Sequence, residues 1–183
     1  MTRHTKRIHD AACDTWDLPR AGQGGDLRPR SGPDDVTDRY LAAIAPAYDR
    51  LSRVLAQLCG IFLLALTRDA QGNGLHLDHA MYGVARDQLN EARETLGGVP
   101  VPDPAHRHHA AMGQMAAHLS DAARDMDRMS ALKTTPDRDI AKREILKRLA
   151  EAQHLLIATA EPDSGITPVD FTHACCNCTT GAA

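Results

Sequence analysis

From residue 44 onward, apolar side chains recur at alternating steps of four and three: Ile44, Tyr48, Leu51, Leu55, Leu58, Phe62 and Ala65 form one unbroken seam. A seam at this spacing lies along one face of a helix and must be covered by another apolar surface, which confines the chain to helix-on-helix packing. Three later segments offer matching stripes. They are Tyr82, Ala85, Leu89, Ala92 and Leu96; then His108, Met112, Met115, Leu119, Ala122, Met126 and Met129; then Ile145, Leu149, Ala152, Leu156 and Thr159. Aromatics are only 3% of the 183 residues, so core volume must come from aliphatic and small side chains, which favours helices over a sheet. The spacing predicts an all-α protein, an antiparallel four-helix bundle over residues 34–162. A disordered N-terminal arm (1–33) and an irregular Cys/Thr-rich tail (163–183) flank it.

The punctuation fits four helices. The first begins near Asp34 or Asp35 and meets Pro46, which either kinks the helix near Ala42 or moves its start to Ala45. Gln71-Gly72-Asn73-Gly74 is a turn and Asp78 a cap for the second helix; Gly97-Gly98 stops it. Asp103 and Pro104 supply an N-cap and first-turn proline for the third helix, which ends around Lys133. Thr135-Pro136 opens the fourth, with Asp137 and Asp139 near its positive end, and Pro162 follows its end at Glu161. Residues 55–66 are the most apolar stretch, but a dozen residues fall short of the roughly 20 that span a bilayer, so no membrane span is expected.

Charge is unevenly spread. Residues 1–33 carry six Lys/Arg against four Asp/Glu, and the remainder fifteen against twenty. An acidic body with a weakly basic arm lacks the concentrated basic face of a nucleic-acid binder. The basic start is followed by His9, Asp10 and Asp14 rather than an apolar run, so a cytoplasmic location is expected. The glycines and prolines of the arm among charges leave too little apolar surface to offset ordering entropy. Its notable residues are Cys13 and Trp16, the latter a possible docking contact.

Five cysteines form no spaced framework, and three of them crowd one motif, His173-Ala174-Cys175-Cys176-Asn177-Cys178. In a reducing compartment such thiols bind metal, react or sit in a core. Three thiols and an imidazole within six residues suit a soft ion, Cu(I) or Zn(II). His173, Cys175, Cys176 and Cys178 are therefore the candidate metal ligands, two or three of them acting with a ligand from elsewhere. Adjacent Cys plus Cys-x-Cys resembles the ligand spacing of metallothioneins, which hold d¹⁰ metals in thiolate clusters; the resemblance covers these four positions. That implies a metal carrier, store or sensor.

A second reading makes the tail a substrate. Thr172, Cys175, Cys176, Cys178, Thr179 and Thr180 are nucleophilic or dehydratable side chains clustered after a folded body. The layout resembles ribosomally made, modified peptide precursors, and implies a partner enzyme. A third reading is a helical interaction module, including pairing of chains into a homo-oligomer through exposed heptad faces.

Other residues read more plainly. His76/His79 and His106/His109 are pairs three apart near helix starts, expected as solvated cap features. Glu151-Ala152-Gln153-His154 has the spacing of di-iron bundle ligands, yet no second copy exists and the first helix has no Glu. The stripe methionines and Cys59 read as core packing and His108 as a satisfied core or boundary histidine. No phosphate-binding glycine loop or nucleophile elbow is present, and no constellation argues for an enzyme.

Overall fold

The computed structural model describes Leu27, Pro29 and residues 35–70, 80–132 and 134–168. It is all-α: α1 (Asp35–Ala70), α2 (Ala80–Gly98), α3 (His106–Ala131) and α4 (Thr135–Ala158), with 3-10 turns at Asp103–Ala105 and Pro162–Ser164. Every residue of the four predicted stripes is buried. α1 touches each of the other helices, with α2 its main partner, while α3 and α4 pack chiefly on each other. That central position explains why α1 buries more than one seam: Tyr40, Leu41, Ala47, Val54 and Ile61 are also enclosed. A helix with neighbours on several sides needs a wider apolar arc than a two-stranded seam provides.

Buried polar contacts tie particular levels of the helices together. Tyr48 in α1 donates its hydroxyl to the Leu156 carbonyl near the end of α4 at 2.8 Å. Tyr82 at the start of α2 donates to the Ala123 carbonyl, late in α3, at 2.6 Å. Tyr40, near the start of α1, meets His108, near the start of α3, at 3.0 Å. On the surface, Arg50 of α1 pairs with Glu91 of α2 at 3.3 Å.

Pro46 lies inside a continuous α1, so the helix starts at Asp35 rather than at Ala45. Pro46 and Ala42 are both exposed, and water can satisfy the Ala42 carbonyl that the proline deprives of its donor. By length and composition α1 could also cross a membrane: Val36–Arg68 contains a window of mean hydropathy 1.4, of which 44% is buried.

Two local expectations need correction. Asp103 does not cap α3; it sits in the preceding 3-10 turn, whose own N-cap is Pro102, and α3 has no side-chain cap. Thr134, by contrast, caps α4: its hydroxyl accepts from the Asp137 amide at 3.3 Å and donates to the Asp137 carboxylate. Finally, α4 stops at Ala158, three residues short of the expected end. There the Thr159 hydroxyl turns back to the Leu155 carbonyl at 2.7 Å.

Beyond α4 the chain does not simply leave the body. Glu161 and Ile166 exchange backbone hydrogen bonds of 2.8 and 3.0 Å, and Gly165 closes the turn at φ +74°, a conformation glycine adopts without penalty. The turn sends Ile166 into the core, 1% exposed. The arm shows a similar departure: Leu27 is half-buried and Pro29 buried. The other arm residues, on which the expectation of disorder over 1–33 falls, lie outside the described residues.

Candidate functional site

His173, Cys175, Cys176, Cys178, Thr179 and Thr180, together with Thr172, lie outside the described residues, as do Cys13, Trp16, His76 and His79. What the structure supplies is the root of the tail. The turn from Glu161 to Ile166 directly follows Thr159, whose carbonyl oxygen lies 2.9 Å from His108 Nε2. The chain therefore heads into residues 169–183 from the end of the body formed by the start of α3 and the end of α4.

At that end His108 is fully enclosed. A carbonyl can only accept, so Nε2 carries the proton and donates to Thr159, and Nδ1 accepts from the Tyr40 hydroxyl. The two rings also meet edge-on, with centroids 5.8 Å apart. Burial pushes the His108 pKa below its ordinary value; the bond to Thr159 opposes this and neighbouring His109 adds to it. With both nitrogens engaged, the imidazole offers no lone pair to a metal or haem. Its place in the α3 stripe was legible; its partners, Tyr40 and Thr159, were not, because they lie 68 and 51 residues away.

The other histidines and acidic candidates separate. His106 is exposed, its Nε2 3.5 Å from Asp103. His109 is half-buried rather than solvated. Its Nδ1 is enclosed without a hydrogen-bond partner among the described residues. Burial, then the nearby His106, lowers its pKa. Glu151 and His154 both face solvent, which takes the Glu-x-x-His pair away from the interior where a di-iron site would be built.

Met112, Met115, Met126 and Met129 are wholly enclosed in the core. Cys59 is the exception among the core expectations, since it is exposed on α1; it falls one position past Leu58, beyond the edge of the buried arc. Among the described residues no group of three His, Cys, Asp or Glu side chains is placed to hold a metal.

The α3–α4 surface carries a charged clasp. Arg148 reaches from α4 to Asp125 at 2.7 Å and Asp121 at 3.0 Å, and Arg124 also binds Asp121 at 2.8 Å. Partly exposed pairs of this kind each contribute about 1 kcal/mol or less. Two shallow apolar grooves are also found among the described residues. One, about 380 Å³, is lined by Leu27, Arg107, Ala110, Ala111, Gln114 and Leu155. The other, about 500 Å³, lies between the start of α1, at Val36 and Tyr40, and the connection Val99–Pro102. No protein-family model matches this chain, and no curated protein or solved structure matches it either.

Proposed function

We propose that the protein is an antiparallel four-helix bundle that carries a C-terminal soft-metal site, acting in the cytoplasm as a carrier, store or sensor of Cu(I) or Zn(II). An up-down-up-down course is supported by the contact levels: the start of α1 meets the start of α3, while the end of α4 and the later part of α2 lie beside the first half of α1. The observation that carries the functional reading is the ligand density of His173, Cys175, Cys176 and Cys178 in a chain with only two other cysteines. Thiolates are the donors that d¹⁰ ions prefer, and binding them releases protons. In this reading the body is a scaffold, its stripes given over to packing.

The test is a competitive titration of Cu(I) and of Zn(II) into the reduced protein and into a variant with Cys175, Cys176 and Cys178 all changed to Ser. Helicity should be the same in both, and only the unsubstituted protein should take up metal with high affinity. Equal uptake by the two would refute the assignment.

A second reading, the tail as substrate of a modifying enzyme, is favoured by one further observation. Exposed large apolar side chains, Leu63, Leu64, Met81 and Val84 toward the α1–α2 connection and Ile140 and Leu146 on α4, offer the body surfaces for a partner. Covalent mass changes at Cys175, Cys176, Cys178, Thr179 or Thr180 would support it, and an unchanged tail in cells would refute it.

A further inference from the structure

The second half of α1 is uncharged on every side. From Val54 to Thr67 its fourteen residues include no Asp, Glu, Lys or Arg, and a helix apolar all round is found where every side is covered. The other three helices cover one arc of it, where Val54, Leu58, Ile61 and Ala65 are buried. The opposite arc is open: Leu63 and Leu64 are 62% and 55% exposed, with Cys59, Gly60 and Thr67 also exposed and Ala56 half-buried. Fourteen helical residues rise about 21 Å, short of the roughly 30 Å of bilayer hydrocarbon, so a membrane span does not account for the run. Gly60 points to a protein surface instead. Glycine inside a helix destabilises it, and the fold has no need of one here, since a Cβ at Gly60 would meet nothing within 4 Å. What the missing side chain leaves is a hollow that lets another backbone approach closely.

We propose that this open face is a dimer interface on which two copies of the chain pack α1 against α1, antiparallel and crossing at Gly60. A two-fold contact needs a surface that complements itself, and this register supplies one. Leu64 of each copy stands across from Ala56 of the other, with Leu63 beside it, so the large side chains of one copy meet the small residues of the second. Charge selects the antiparallel course. Arg53 and Arg68, which bound the run, then stand across from Thr67 and Ser52, whereas a parallel pair would set each arginine against its own counterpart. Covering the face strands no hydroxyl, because Thr67 already donates to the Leu64 carbonyl at 2.8 Å. One helix pair is a small interface, so the association is weak and reversible.

Sedimentation velocity of the full, reduced chain over a micromolar concentration series should show monomer giving way to dimer. Gly60→Leu should keep the chain monomeric with far-UV circular dichroism unchanged, because the new side chain has free space within its own fold but fills the hollow at the crossing. Unspecific apolar stickiness predicts the reverse, since leucine adds apolar surface. Leu64→Arg should also give monomer, while Leu146→Arg, at an exposed apolar position on α4, should leave the dimer intact. Orientation is read in chains freed of their own cysteines: a short bismaleimide should join Arg53→Cys to Thr67→Cys when the two are mixed, and should not join Arg53→Cys to itself. A monomer at every concentration, a dimer that survives Gly60→Leu or Leu64→Arg, loss of the dimer with Leu146→Arg, or the reverse crosslinking pattern would each overturn the proposal. So would a chain that stays monomeric and floats with vesicles of phosphatidylserine and phosphatidylcholine, which would assign the face to lipid.

Discussion

Acid should weaken this fold through His108. The ring is fully buried, with Nε2 donating to Thr159 and Nδ1 accepting from Tyr40, and its pKa is held down chiefly by burial. The unfolded chain takes up this proton near the ordinary histidine value of about 6.5, and the folded chain only at lower pH. Stability from this residue is therefore complete above that value, declines as the pH falls below it, and stops declining once the folded protein also binds the proton. The steepest slope is about 1.4 kcal/mol per pH unit. Going from about pH 7.5 to about pH 5 thus removes at most about 2 kcal/mol through His108.

The comparison is His108→Leu, which removes the titration and leaves the Tyr40 hydroxyl and Thr159 carbonyl without their partner. Each orphaned group costs about 1–3 kcal/mol at neutral pH. Urea unfolding of both proteins at several pH values should show the gap between them narrowing on acidification by up to about 2 kcal/mol. His109 is present in both and its contribution cancels. Parallel pH curves for the two proteins would refute the reasoning.

Ile166→Ala should destabilise by about 2–5 kcal/mol, because the turn closed by Gly165 places this side chain in the core; thermal unfolding reads the loss, and a surface-like change would mean that the turn is not docked. Thr134→Ala should cost about 1 kcal/mol by removing the acceptor for the Asp137 amide, with Thr134→Asn largely restoring it in the same assay. Arg148→Met should cost about 1 kcal/mol or less, given the partial exposure of the clasp with Asp121 and Asp125. Its effect should shrink at high salt, as measured by denaturant midpoints at two ionic strengths.

The helices were legible because a 4-3 stripe can be buried in only one way. Even His108 and Thr159, polar residues in apolar registers, proved to be enclosed. Tyr40, Leu41, Val54 and Ile61 were missed because a seam describes contact with one neighbour, whereas α1 has three. Ile166 and Leu27 were missed for a related reason: a single apolar residue in a polar stretch has no period, and its burial depends on where the body happens to present a hollow. Asp103 had the composition of a cap, but proline on both sides set the backbone as a 3-10 turn first. The chemistry proposed for the tail rests on side-chain type alone, because residues 169–183 lie outside the described residues.

The central claim is that the His173–Cys178 motif holds a soft metal, and intact mass tests it most directly. Protein purified from its own cells without chelators would be weighed under native and denaturing conditions, beside the variant with Cys175, Cys176 and Cys178 changed to Ser. The account predicts added mass equal to one or more copper or zinc ions, lost on denaturation and absent from the variant. A native mass equal to that of the bare chain, or a covalent addition at residues 172–180 that survives denaturation, would contradict it.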